Sequence, residues 1–148
     1  MRSTTLAWSL LGMLAGRSVA QQVTIPGATP TAVVDHLKAQ LGPQGFVLED
    51  ANDKAALFVL DRGLVSQGAT AAVPVVHVFI ELQLKFQQKR DGLLVRANEE
   101  VVGNRGKPLE FRKPADSDRP NVQRLLESVK SELTSSPVDT TKRDSTSH

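Results

Sequence analysis

Eleven consecutive residues, 76–86, alternate almost strictly between apolar and polar side chains, and this pattern limits the possible folds more than any other part of the sequence. The even-numbered positions are all apolar: Val76, Val78, Ile80, Leu82, Leu84 and Phe86. The odd-numbered positions are His77, Phe79, Glu81, Gln83 and Lys85. Because successive side chains of a β-strand point to opposite faces of a sheet, the pattern predicts a long strand with one face on a core and the other in water.

The Asp91-Gly92 pair that follows this strand predicts a hairpin. Both residue types tolerate positive φ, so we expect them to form a two-residue turn. A return strand is predicted over residues 93–102, with Glu99 on the inward side of its alternation. A carboxylate at such a position indicates a β-bulge or the rim of the sheet.

Two shorter strands are predicted at residues 46–48 and 55–60, with turn-forming residues between them. Residues 62–74 carry two glycines, small side chains and a closing proline, which predicts a mobile loop. A possible strand at 23–25 and a possible edge segment at Leu109 and Phe111 are too short to be counted. The predicted sheet therefore has four antiparallel strands.

Two amphipathic helices flank these strands. The first is predicted over residues 30–41, with Thr29 as its N-cap and Gly42-Pro43 at its end. The second is predicted over 120–133, capped by Asp118. Apolar residues recur on each helix at three- and four-residue spacing. Since both stripes need a partner, we expect both helices on one face of the sheet, which gives an α+β two-layer sandwich.

Residues 1–20 have the features of an export signal: Arg2, an apolar run over 6–15, and Ser18-Val19-Ala20 before the expected cleavage site. We expect a mature chain that begins at Gln21, folds as a single α+β domain over 21–134 and ends in a disordered tail over 135–148. We expect it in the periplasm or outside the cell. No other apolar run approaches membrane-spanning length, so we expect no transmembrane segment in the mature chain.

The composition excludes several classes of function. Loss of Arg2 and Arg17 with the signal leaves 16 basic and 16 acidic residues, which removes the bulk-charge argument for nucleic-acid binding. The chain has no cysteine, so it has neither disulfides nor an acylated cysteine. The single tryptophan, Trp8, lies in the predicted signal, and tyrosine is absent, so the usual stacking side chains are missing from the mature domain.

The sequence lacks the common catalytic motifs, including a phosphate-binding glycine loop and a Gly-x-Ser-x-Gly nucleophile. His77 and Glu81 share the polar face of the long strand and offer the one proton-transfer or metal-site candidate, without an evident third ligand. We therefore expect a protein that is not an enzyme and uses no cofactor or metal. The alternative interpretation is that His77 is an exposed histidine on a strand and has no chemical role.

The polar face of the long strand also carries the candidate binding residues. Phe79 is the one apolar side chain on that face, and it is either covered by the 62–74 loop or offered to a partner. A basic stripe of Lys85, Lys89, Arg90 and Arg96 gathers near the hairpin end and can make a weak contact with an anionic envelope surface. The predicted binding residues are His77, Phe79, Glu81, Gln83, Lys85 and Arg96.

Four segments resemble small bacterial exported α/β domains, some of them accessory lipoproteins of outer-membrane assembly machinery. They are the first helix, the strand opening GFVLE, the strand HVFIELQLKF and the closing helix NVQRLLESVKSEL. The resemblance covers most of residues 30–133 and is one of pattern, without a signature motif. It implies an envelope domain with no catalytic residues, but the absence of an acylated cysteine departs from the lipoproteins.

Three hypotheses follow. The leading one is a non-enzymatic exported domain that binds a protein partner in the cell envelope through its polar sheet face and the 62–74 loop. The alternative is a carrier of a small apolar ligand in a cavity between the helices and the sheet. The third is a weak hydrolase or metal-dependent enzyme centred on His77 and Glu81.

Overall fold

The computed structural model describes residues 21–66, 75–115 and 121–136. Within these ranges the chain forms, in order, β1 (Gln21–Ile25), α1 (Pro30–Leu41), a short 3₁₀-helix (Gly42–Gln44), β2 (Val47–Ala51), β3 (Ala55–Ser66), β4 (Val75–Lys89), β5 (Gly92–Gly103), β6 (Phe111–Pro114) and α2 (Asn121–Ser135). The predicted export signal, the predicted Asp118 cap and most of the predicted tail lie outside the described residues.

The six strands that the described residues form make one antiparallel sheet in the order β1-β5-β4-β3-β2, and β6 also pairs with β5. β1 pairs with residues 93–97 of β5 and β6 pairs with residues 100–103, so the two short strands lie end to end along one long neighbour. The predicted α+β class is confirmed. The predicted number of four strands is wrong, because β1 and β6 are too short to show a clear alternation yet find a partner in β5.

Both helices pack against one face of the sheet and share one apolar core with it. Its largest fully buried side chains are Ile25, Leu37, Phe58, Leu84, Leu93 and Leu126. Burial of each such side chain stabilises the fold by roughly 1.5–3 kcal/mol. The predicted bounds of α1 are confirmed, and Thr29 Oγ1 caps it by accepting a hydrogen bond of 3.2 Å from the Ala32 amide. Among the described residues, no helix is long and apolar enough to cross a membrane.

The long hairpin of β4 and β5 is confirmed, with a turn one residue earlier than predicted. Lys89 pairs with Gly92, so the two turn residues are Arg90 and Asp91. Gly92 is the first residue of β5, with a φ of 139°. A Cβ atom there would lie 2.5 Å from the carbonyl oxygen of Ile25, so both conformation and space favour glycine at this position.

The β4–β5 pairing continues without a register shift past Glu99, which lies opposite Leu82. The bulge predicted at Glu99 is therefore absent from the described β5 strand. Glu99 is half-buried and borders the groove described below.

A bulge occurs instead in β3, which extends to Ser66 into the predicted 62–74 loop. The register shifts between Asp61 and Gly63, so Arg62 is the extra residue. The β4–β5 pairing stops at Val78, whereas β3 and β4 continue to pair beyond it. Residues 64–66 and 75–77 therefore continue beyond the last β4–β5 pair as a two-stranded extension, which we call the hairpin arm; at its base the Asn104 amide donates a hydrogen bond of 2.8 Å to the His77 carbonyl. The remainder of the predicted loop, residues 67–74, lies outside the described residues.

Candidate functional site

The six predicted binding residues all lie on the face of the sheet opposite the helices, which we call the open face. His77, Phe79, Glu81, Gln83 and Lys85 follow one another along β4, and Arg96 of β5 pairs with Lys85. They do not form one continuous exposed surface. Glu81, at the centre, is only 1% exposed, whereas Lys85 and Arg96 are exposed near the hairpin end.

Two arginines cover Glu81. Arg105 Nε donates a hydrogen bond of 2.6 Å to Oε1, and Arg112 Nη1 donates one of 2.7 Å to Oε2. Burial raises the pKa of the Glu81 carboxyl, but the hydrogen bonds from Arg112 and Arg105 outweigh it and hold that pKa below its ordinary value. The carboxylate therefore stays charged, and both of its oxygens are already engaged.

The same two arginines bind further carboxylates. Arg105 donates two hydrogen bonds to Glu49, of 2.7 and 2.6 Å, and this contact lowers the pKa of the Glu49 carboxyl. Arg112 contacts Glu110 at 2.8 Å and Glu100 at 3.3 Å. Side chains from β2, β4, β5, β6 and the β5–β6 connection are thus joined over the open face. We call this set the carboxylate–arginine network: Glu49, Glu81, Glu100, Glu110, Arg105 and Arg112.

The glycine at position 103 allows β6, the strand that carries Arg112, to lie close to β5. A Cβ atom at Gly103 would overlap the ring of Phe111, which pairs with it across β5 and β6. β6 can lie against β5 only because this position has no side chain. The sequence contains no local signal for this contact, since Gly103 and Phe111 both lie in or next to a segment rich in turn-forming residues.

His77 is engaged away from Glu81. Its Nε2 atom lies 2.6 Å from Asp61 Oδ1, and its ring stacks on Phe79 at 4.5 Å between centroids. Across residues 21–66, 75–115 and 121–136, no three histidine, aspartate or glutamate side chains gather closely enough to hold a metal ion. The structure thus brings His77 and Phe79 together and gives His77 and Glu81 separate partners.

The His77–Asp61 contact belongs to the β3 bulge. Asp61 Oδ1 also accepts a hydrogen bond of 2.7 Å from the Gly63 amide, across the bulged residue Arg62. This backbone hydrogen bond, followed by the contact with His77, lowers the pKa of the Asp61 carboxyl. His77 therefore helps to fix the backbone conformation at the bulge, because it contacts Asp61, whose side chain bridges the bulge.

A groove of about 610 Å³ lies between the helical layer and the sheet. The strands supply Leu60, Ile80 and Leu82, and α2 supplies Asn121, Arg124, Leu125 and Ser128 at helical spacing. Among the described residues, those that line it and carry a charge are Arg62, Glu99 and Arg124. Leu60 pairs with Ile80 on this side of the sheet, and Asp61 faces the other side, so the bulge lets Arg62 border the groove as well.

A shallower depression of about 420 Å³ lies on the open face near the hairpin end. Three basic residues line it, Lys54, Lys85 and Arg96, and the last two lie directly opposite each other in the sheet. Like charges in this position repel each other. Lys54 was not among the predicted residues, because it follows the β2–β3 turn and its proximity to Lys85 arises only from strand pairing.

No protein-family model matches the sequence, and no curated protein matches it either. One solved structure with a partial likeness is a DUF4468 family protein from Bacteroides ovatus, at 11% sequence identity and a TM-score of 0.31. The likeness covers 63% of this chain and 58% of that protein, so the chain spans little more than half of its length. A likeness this low assigns no function, which has to come from the residues themselves.

Proposed function

We propose that this protein is a non-enzymatic, exported binding domain that contacts a protein partner in the cell envelope through the hairpin arm. The observation that carries the proposal is the exposure of three large apolar side chains on the arm: Leu64 is 72% exposed, Val75 57% and Val65 42%. A group of exposed apolar side chains on one short ribbon is typical of a surface that contacts another molecule, although Val76 of the same ribbon is buried.

Two of the predicted binding residues, His77 and Phe79, continue this exposed surface. Leu64 pairs with His77, and Phe79 follows His77 on the same face. The proposed partner surface therefore lies at one end of the open face. The centre of that face is taken up by the carboxylate–arginine network over Glu81. Leu64, Val75, His77 and Phe79 then form the contact surface on that side.

The outer edge of the arm supports a protein partner over a small molecule. β2 pairs with β3 only as far as Val59, and within the described residues no other strand lies along residues 61–65 of β3. An extended segment of a partner can add to such an edge through main-chain hydrogen bonds, while the apolar side chains provide specificity.

The partner surface is tested by substituting Leu64→Ser and Val75→Ser together and cross-linking the protein in its native envelope. Both side chains are exposed, so the free energy of unfolding should change by less than about 0.5 kcal/mol. Leu109→Ser is the matched control, because Leu109 is 79% exposed and lies on the β5–β6 connection. A partner that is retained by the control and lost by the double variant supports the proposal. Equal retention by both variants contradicts it.

Export is tested separately by the intact mass of the protein recovered from its own cells. A mass that begins at Gln21 supports the proposed cleavage, because residues 1–20 would then have been removed. A mass that retains Met1 contradicts it. This measurement does not depend on the identity of any partner.

The basic depression supports a weak contact with an anionic envelope surface. Lys54, Lys85 and Arg96 form no ion pair with any carboxylate in the described part of the chain. We expect binding to phosphatidylglycerol vesicles at low salt that disappears as salt screens the charges and that is reduced by K85Q/R96Q. Equal vesicle binding by wild type and this double variant contradicts the assignment.

A second candidate function, carriage of a small ligand, is favoured by the groove of about 610 Å³ between the helices and the sheet. Its volume falls within the range of about 300–1,000 Å³ that is usual for small-molecule sites. Native mass spectrometry of protein purified without detergent should then show an added mass of a few hundred daltons, roughly what a site of this size accommodates. Protein that carries no added mass and takes up no small apolar molecule contradicts this function.

A further inference from the structure

We infer that the groove binds a single-chain amphiphile with an anionic head group, with its chain on the apolar floor and its head group at Arg62 and Arg124. This inference rests on the second candidate function, that the groove holds a small ligand. It adds the chemical class of the ligand and the two side chains that recognise it.

The apolar part of the site is built by three elements. Leu60 of β3 pairs with Ile80 of β4, and Leu82 continues the same face of β4. Leu125 of α2 and Phe46, just before β2, border the groove from the helical side. An apolar chain laid between these side chains is removed from water on both sides, which contributes roughly 0.8 kcal/mol per buried methylene group.

The charged part of the site comes from two different elements. Arg62 is the bulged residue of β3, and Arg124 lies on the first turns of α2. Neither guanidinium forms an ion pair with a carboxylate within the described ranges. Among the described lining residues Glu99 is the acidic one, so these three charged side chains together carry a net charge of plus one. An anionic head group matches this charge, and a cationic one does not.

The position of Arg62 depends on contacts made on the other face of the sheet. His77 holds Asp61, and Asp61 accepts the Gly63 amide across the bulge. A bulge redirects a side chain that a regular strand would place elsewhere. The arginine is therefore set beside the groove by defined contacts, and no acidic side chain of the described residues forms an ion pair with it.

The ligand class is tested by calorimetric titration of the full mature domain with decanoate and with decanol at pH 8, both below their aggregation limits. The two probes share an apolar chain and differ in the charge of the head group. We expect saturable binding of one decanoate per protein, about tenfold tighter than that of decanol, since a charge-assisted hydrogen bond to an arginine is worth about that ratio. Acetate, which has the charge without the chain, should not bind measurably.

The site is tested by R124Q, which should weaken decanoate binding about tenfold and leave decanol binding unchanged. K130Q is the matched control, because Lys130 is an exposed cation on the same helix and is not among the described residues that line the groove. Equal affinities for decanoate and decanol would overturn the inference while the carrier function stands. Failure of both probes to bind would overturn the inference and the carrier function together. An equal loss in K130Q and R124Q would also overturn it, because the effect would then follow net charge.

Discussion

Arg105 and Arg112 on the open face contrast with Arg62 and Arg124 beside the groove. The first two lie over a carboxylate that is 1% exposed and between them contact four glutamates. The other two border an apolar groove and, within the described ranges, contact no carboxylate. The pKa of each network arginine is raised by its carboxylate partners, so these cations stay charged and are engaged by carboxylates.

The comparison shows that one residue type has two roles in a small domain without cysteine. Removal of one partner from a buried ion pair leaves the other charge uncompensated, so the network residues should govern stability. An exposed arginine without a partner contributes little to stability and is free to meet a ligand. The two pairs of arginines should therefore separate stability from binding.

The largest expected effect is that of E81Q, which keeps the shape of the side chain and removes its charge. The variant should lose about 3 kcal/mol of the free energy of unfolding, because the amide nitrogen cannot accept a hydrogen bond from an arginine and the two buried guanidinium contacts lose their negative charge. Denaturant titration measures this change. E49Q is the control: Glu49 binds the same Arg105 but is well exposed, so the loss should stay below about 1 kcal/mol. Equal losses of unfolding free energy in E81Q and E49Q would show that the burial of Glu81 does not determine the size of the effect.

G103A should have the next largest effect, a loss of about 2 kcal/mol, because the added methyl group overlaps the Phe111 ring and displaces β6. Displacement of β6 also removes Arg112 from Glu81. Gly42→Ala is the control, since nothing lies within 4 Å of a Cβ atom there and its φ of -54° is allowed for alanine. Faster amide hydrogen exchange in β6 of G103A, with no change in G42A, is the second measurement. If the stability of G103A were unchanged, β6 would not pack against Gly103 as described.

Acid should weaken the network in a direction that its pKa values define. The folded-state pKa of Glu81 lies below that of an unfolded glutamate, so its stabilisation is complete above about pH 4.3 and is lost as the pH falls through the folded value. The free energy of unfolding should therefore fall below about pH 4, and less steeply in E81Q. Glu49 and Asp61 also have lowered pKa values, so some pH dependence should persist in that variant. Identical slopes for wild type and E81Q would show that Glu81 does not titrate as described.

The smallest expected effect is that of D61N on the groove. The variant weakens the contacts with His77 and Gly63 that hold the bulge, so Arg62 should lose its fixed position. Decanoate affinity should fall a few-fold, within the range of a single weakened hydrogen bond. D35N is the matched control, because Asp35 is exposed on α1 and lies in no strand. An affinity equal to that of wild type would show that the bulge does not position Arg62.

The sequence predicts the parts of the fold that repeat a local period. The alternation along β4 and the cap and apolar stripe of α1 are sufficient for these elements, because every residue needed lies within the element itself. β1 and β6 were not counted, because they have only 5 and 4 residues and depend on β5 for their pairing.

The candidate sites were less predictable, because they join residues far apart in the chain. Arg105 and Arg112 lie 24 and 31 residues from Glu81, in or next to a segment that has no periodic pattern. Arg62 borders the groove only through the bulge, and no residue pattern indicated a bulge at that point. The one local sign of the network in the sequence is Glu81, a glutamate in the middle of an alternating strand. A carboxylate that becomes buried there needs a cation as its partner.

The most direct test of the difference between the two arginine pairs is the behaviour of the double variant R62Q/R124Q, measured for stability and decanoate binding in one preparation. The account predicts a free energy of unfolding within about 0.5 kcal/mol of wild type and loss of the preference for decanoate over decanol. A variant that binds decanoate as well as wild type, or that unfolds as easily as E81Q, would contradict it.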